Sequence, residues 1–233
     1  MIDFSEITSI STARGSVKQI ADINGTILWT KPNLYHENLR CFLSAHNNTR
    51  SGYNANTATW EDLSGYDNDF TLSNVTFDGE NAVFNGSNSK GESSFILQYP
   101  YTVIVKFTKV STWASATTVP VHNYDPTTST KGDGIIQRAT SVEVSYRTGT
   151  IASVSVNKPT ADSVVIAYTR DANGNGNVYV DNVLKGTKTG LTTAIAYPYM
   201  IGGSQTLWYK GGIEYIKIYN AVLPLNTIIE ETD

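Results

Sequence analysis

The sequence predicts an all-β protein: a two-sheet antiparallel sandwich preceded by a short N-terminal β-hairpin. Three observations predict it. Apolar and polar residues alternate along several runs, turn-forming residues separate the runs at short spacing, and helical periodicity is nearly absent. A two-sheet closure follows because one face of each run is apolar and must be covered.

The elements follow in order. Ser16-Val-Lys-Gln-Ile20 and Thr26-Ile-Leu-Trp29 are β-prone and flank Asn24-Gly25, a tight-turn dipeptide, so a hairpin is expected within residues 1–32. Lys31-Pro32-Asn33 reads as a linker, leaving residues 33–233 as the sandwich. In the run from Tyr101, residues Tyr101, Val103, Val105 and Phe107 share one face; Thr102, Ile104, Lys106 and Thr108 share the other. Val142, Val144 and Tyr146 repeat the alternation, as do Val154 and Val156, then Val164, Ile166 and Tyr168. Val178-Tyr-Val180 and Val183-Leu184 flank Asp181-Asn182, which suits a type I′ turn. A last strand runs from Ile213 to Tyr219, and after Pro224 the segment Leu225–Glu231 allows a helical turn.

Composition narrows the function classes. The chain has 233 residues, of which 29 are Thr, 21 Ser and 20 Asn, and 16% are charged against about 25% in an average protein. The net charge of −4, with no run of Lys and Arg, argues against a nucleic-acid surface. The single cysteine, Cys41, excludes an internal disulfide and a Cys-rich zinc site, and reads as a small residue of a partly buried strand. Met1-Ile-Asp-Phe-Ser-Glu6 has neither the basic nor the apolar part of a signal peptide, and no run reaches 18 apolar residues. A cytoplasmically made chain without a membrane helix is the expectation.

Several motifs resemble the concanavalin A-like lectin/glucanase jelly roll in its laminin G-like branch. They are Trp60-Glu-Asp-Leu-Ser-Gly-Tyr-Asp-Asn-Asp69, Phe84-Asn-Gly-Ser87, the strand Tyr101–Phe107, Val178-Tyr-Val-Asp-Asn-Val183, Ile201-Gly-Gly203 and Gly212-Ile-Glu-Tyr-Ile-Lys-Ile-Tyr-Asn220. The resemblance implies two curved antiparallel sheets and gives these residues structural parts. A second, shorter resemblance is to phage structural proteins: Gly15–Ile20 with Thr26–Trp29 looks like a leader ahead of their sandwich domains. Asn47-Asn-Thr-Arg-Ser-Gly-Tyr53 with Thr57-Ala-Thr-Trp60 looks like the jelly roll of phages of Gram-positive hosts. It implies a virion location, with residues 1–32 contacting other virion proteins and homo-oligomers fitting such a role.

The residues argue against catalysis. Retaining glycosidases need two carboxylates about 5 Å apart, and the fold's hydrolases resemble one another in an E-x-D-x-x-E strand. That pattern does not occur, and Glu61-Asp62 would point to opposite faces of a strand. His36, His46 and His122 are scattered, no Gly-x-Ser-x-Gly elbow is present, and Cys41 near His36 and His46 reads as packing.

For metal, Asp171-Ala-Asn173-Gly-Asn175-Gly opens like a calcium loop but has Asn182 where a bidentate Glu is needed, so a hairpin turn is the expectation. Asp67 and Asp69 are a second weak calcium candidate, since laminin G-like domains often bind that ion. No other cofactor is implied. Binding remains: aromatics in polar, turn-rich stretches can stack on sugars. The carbohydrate candidates are Trp113; His122, Tyr124 and Asp125; and Trp208 with Tyr209, whereas Trp29 and Trp60 read as packing. A domain recognising host surface glycan is the first expectation. The alternative is a capsid decoration or tail-assembly subunit making protein contacts only.

Overall fold

The computed structural model describes residues 7–13, 16–22, 27–30, 36–113, 115–127, 130–191, 197–204 and 206–232; up to residue 36, and at residue 204, only the backbone is described. The Asn24-Gly25 turn and the Lys31-Pro32-Asn33 linker lie outside these residues, as do the side chains of Trp29 and His36. The chain divides into two compact units, Met1–Glu37 and Asn38–Asp233.

The first unit holds three antiparallel strands: β1 (Ile7–Ala13), β2 (Ser16–Asp22) and β3 (Ile27–Thr30), in the order β1-β2-β3. The pairing of β2 with β3, with Ile20 opposite Trp29, is the expected hairpin. Strand β1 is a third strand that the residues did not announce. Its Ser- and Thr-rich run has little apolar alternation, and pairing with β2 defines it.

The second unit is a jelly-roll sandwich of two antiparallel eight-stranded sheets, with a small two-stranded sheet beside them. Its strands are β4 (Leu39–Ser44), β5 (Thr59–Trp60), β6 (Phe70–Ser73), β7 (Thr76–Phe77), β8 (Ala82–Asn85) and β9 (Lys90–Glu92). Next come β10 (Tyr101–Thr108), β11 (Thr118–His122), β12 (Lys131–Gln137), β13 (Ser141–Thr148) and β14 (Ile151–Asn157). Then follow β15 (Ser163–Arg170), β16 (Gly176–Val180), β17 (Val183–Lys188), β18 (Met200–Ile201), β19 (Gly203–Ser204), β20 (Leu207–Trp208) and β21 (Lys210–Tyr219). The first large sheet has the order β17-β16-β15-β10-β21-β8-β7, with β4 beside the C-terminal half of β21. The second has the order β14-β13-β12-β11-β18-β9-β6-β5.

The core lies between the sheets, where the alternation put it. Val103, Val105, Phe107, Ile166 and Tyr168 of the first sheet and Val121, Ile135, Val144 and Tyr146 of the second are buried there. Trp60 is fully buried, its Nε1–H donating to Ser44 O at 3.0 Å, and Cys41 is buried as well. The Trp60–Asp69 motif is organised by Asp62. Its carboxylate accepts from the backbone N–H groups of Phe42, Ser64 and Asn68 and from the Ser64 hydroxyl, which stitches the turn to β4. Asp181 and Asn182 both have positive φ, 47° and 64°, as a type I′ turn requires. The C-terminal turn extends to a helix, α1 (Leu225–Thr232), which contacts β10. Ile104 on the outer face of β10 is buried, as are Leu223 and Ile228. Thr102 pins the approach to the helix, donating to Ala221 O at 2.7 Å and accepting from Leu223 N–H at 2.9 Å.

Candidate functional site: a cavity on the outer face of the second sheet

Strand pairing in the second sheet places two neighbouring cross-strand rows on opposite faces. The row Leu72–Gly91–Ile201–Val121–Ile135–Val144 faces the core. Its neighbour, Thr71–Glu92–Met200–His122–Gly134–Ser145, faces away. At the centre of this outward row lies a cavity of about 370 Å³, within the size range of ligand pockets. Lys90, Glu92 and Met200 line it together with His122, Tyr124, Asp125 and Pro126, and Trp208 and Gly203 complete the lining.

Each group is fixed by its neighbours. His122 ends β11 and stacks on the Tyr124 ring at 4.8 Å, and its Nδ1 accepts the Tyr124 backbone N–H at 3.2 Å. A neutral ring in this arrangement carries its proton on Nε2. Burial holds the His122 pKa down at about 4, the nearby Arg147 charge acting in the same direction and the Gly203 backbone against it. The Arg147 guanidinium lies 3.8 Å from the Tyr124 ring centroid, and burial pushes the Tyr124 hydroxyl up to about 12. Asp125 is 9% exposed. Its Oδ1 accepts from the Thr127 backbone N–H and hydroxyl at 2.9 and 2.6 Å, and its Oδ2 accepts from Tyr197 Oη at 3.3 Å. Lys90 Nζ and Glu92 Oε2 pair at 2.7 Å.

Trp208 stands opposite Gly203 in the β19–β20 ladder. Gly203 has φ +142°, and a Cβ there would lie 2.7 Å from Leu207 O and 2.9 Å from Trp208 Cα, so only glycine lets the two strands close. Gly134 does the same in the sheet, where a Cβ would lie 2.6 Å from His122 Cβ.

Four of the six carbohydrate candidates, His122, Tyr124, Asp125 and Trp208, thus meet at one cavity. Trp113 and Tyr209 do not: both belong to the hydrophobic core between the sheets, whereas His122 and Tyr124, as deeply buried, line the cavity. Trp113 Nε1–H donates to Tyr209 Oη at 3.0 Å, Tyr209 Oη donates to Gly212 O at 3.1 Å, and Phe107 packs against both rings at 5.8 Å. The polar Ser-Thr-Trp-Ala-Ser stretch suggested exposure for Trp113. Instead Lys109, in the left-handed conformation at φ 53°, starts a 3-10 turn, Val110–Thr112, that folds the indole back onto the sheet end. Lys90, Glu92 and Met200 went unnoticed in the sequence. Their strands have two or three residues, too short for a periodic signal, and they meet His122 only through pairing.

The calcium candidates are engaged otherwise. Asp171 Oδ1 accepts from the N–H groups of Asn173 and Asn175, and Oδ2 from the Asn175 amide, which closes the turn between β15 and β16. Asp67 and Asp69 both face the Arg50 guanidinium, Nη2 lying 2.9 and 2.5 Å from them, with Glu61 3.8 Å from Nη1. A side-chain cation stands among these carboxylates. Among the described residues, no group of three or more His, Cys, Asp or Glu is placed to hold a metal ion, and no helix is long and apolar enough to cross a membrane.

The fold has clear relatives among solved structures. Domain 4 of AbnA, an extracellular arabinanase from Geobacillus stearothermophilus solved with arabinotriose, matches with a TM-score of 0.66 and 18% identity, over 84% of this chain and 98% of that one. A botulinum neurotoxin type C structure, from work tying its cell entry to two ganglioside molecules, matches with a TM-score of 0.63 and 12% identity over 84% of this chain. A sialidase mutant from Trypanosoma rangeli matches with a TM-score of 0.64 and 15% identity over 86%. The chain spans 51% of that neurotoxin chain and 33% of the sialidase chain. At these identities the likeness defines the class of fold, a jelly-roll β-sandwich. No protein-family profile matches, and no curated protein matches.

Proposed function

We propose that the sandwich is a non-catalytic carbohydrate-binding module that holds a sugar in the cavity beside Trp208. One observation carries the reading: a single cavity is lined by His122 of the outward row, by Tyr124 and Asp125 just after it, and by Trp208 of the small two-stranded sheet. The half-buried indole supplies a flat apolar face for sugar C–H groups, and Asp125, Glu92 and Lys90 supply acceptors and a donor for hydroxyls. The arabinotriose and ganglioside named for two structural relatives support the same class of ligand. In this reading the domain recognises host surface glycan from a phage particle, and residues 1–32 attach it to other virion proteins. The compact unit Met1–Glu37 and the leader-like motifs support that placement.

A second reading, a virion subunit making protein contacts only, is favoured by one feature. Ile151 on edge strand β14 is 65% exposed, and Val183 and Leu184 on edge strand β17 are exposed as well. The test is saturable binding of the full chain to cell-wall polysaccharide, with Trp208→Ala as control. Binding that the variant loses supports the module. A folded chain that binds no polysaccharide favours the contact subunit.

A further inference from the structure

We infer that the cavity beside Trp208 selects uncharged sugar residues and turns away acidic ones; this rests on the glycan-binding reading above. Among the described residues, the charged groups that line the cavity are two carboxylates, Glu92 and Asp125, against one ammonium, Lys90. That ammonium is already committed, lying 2.7 Å from Glu92. His122, the remaining titratable base in the lining, is neutral at pH 7 and stacked on Tyr124. Arg147, the next cation, holds its guanidinium over the Tyr124 ring and donates to Ser145 Oγ at 3.4 Å. Arg138, farther along, pairs with Glu143 at 2.9 Å.

Hydrogen-bond chemistry points the same way. Asp125 is nine-tenths buried, and an ionised carboxylate only accepts. A neutral sugar offers hydroxyls that donate to Asp125 and Glu92 and accept from Lys90. A uronic or sialic acid brings another acceptor-only group into a place of reduced dielectric, where like charges repel more strongly than in water. Pairing it with Lys90 draws that ammonium off Glu92 and leaves Glu92 unpaired, and pairing it with Arg147 lifts the guanidinium off the Tyr124 ring.

The experiment is calorimetric titration of the full chain at pH 7 and low salt with matched pairs. Suitable pairs are galactose against galacturonic acid oligomers and lactose-terminated against sialyl-lactose-terminated oligosaccharides. The neutral member binds about tenfold tighter or more in whichever pair binds. Glu92→Gln, at a half-exposed position, and Asp125→Asn each narrow the gap, and so does added salt. If the acidic member binds as tightly as the neutral one, the inference fails while the glycan reading stands. If no member of any pair binds a folded chain, the glycan reading fails and takes this inference with it.

Discussion

Asp133 on β12 and Arg170 at the end of β15 join the two sheets through the core. Arg170 Nη1 lies 3.2 and 3.0 Å from the two carboxylate oxygens of Asp133, and both side chains are withdrawn from solvent. Tyr101 Oη donates to Asp133 Oδ2, and Arg170 Nη2 donates to Leu191 O at 2.7 Å. A pair so dry is costly to break from one side, because the partner left behind is buried without its counter-charge and must stay unpaired or change its protonation.

Arg170→Met is therefore expected to cost about 3–5 kcal/mol of stability in denaturant unfolding. The double variant Asp133→Leu with Arg170→Met should unfold closer to wild type than Arg170→Met alone. A single variant within ~1 kcal/mol of wild type would mean the pair does not hold the sheets together.

His122 gives a pH dependence with a definite sign. Its folded pKa, about 4, lies below the ordinary value of 6.5, so the unfolded chain binds the extra proton between these limits. The contribution is present above pH 6.5 and is lost as pH falls through 4, to the order of 3 kcal/mol. Asp133 acts in the opposite sense, since burial raises its pKa above the usual carboxylate range against the pull of Arg170, and its contribution is lost as pH rises through that raised value. The two offset each other, so the check is a difference: the cost of His122→Gln should shrink from pH 7 to pH 4, whereas that of Asp133→Asn should grow.

Two tryptophans separate binding from folding. Trp208→Ala should weaken glycan binding about tenfold or more and leave the unfolding midpoint nearly unchanged. Trp113→Ala should cost about 3–5 kcal/mol of stability, because it empties a core position and strips Tyr209 of its donor. Thermal unfolding and titration on the same samples distinguish the two effects.

Arg50 predicts the response to calcium. With its guanidinium among Glu61, Asp67 and Asp69, the wild-type unfolding midpoint should not move between calcium and chelator. Arg50→Ala should lose about 0.5–1 kcal/mol at low salt, a modest figure because the residue is 41% exposed, and added salt should restore part of it. A chelator-sensitive midpoint in the wild type would return these aspartates to the list of calcium ligands.

Local rules made most of the fold legible. Alternation in the strands from Tyr101, Val142 and Val164 assigned the core face correctly, because one buried face imposes a period of two. Asp181-Asn182 announced its turn because few residues tolerate two successive positive φ values. The lining of the candidate cavity was half legible. His122, Tyr124, Asp125 and Trp208 stood out as aromatic and acidic groups in polar stretches, a signal that Trp113 and Tyr209 gave equally well.

The sequence by itself determined the all-β class, the apolar face of each long strand and the tight turns, since these depend on neighbours a few residues apart. Tertiary structure alone decided which polar-flanked aromatics face a cavity and which fill the core, since both kinds look alike locally. It decided too that Lys90, Glu92 and Met200 meet His122, because register between strands distant in the chain sets that row. Likewise it put Arg50 among Glu61, Asp67 and Asp69, since loop closure chose the cation for those carboxylates.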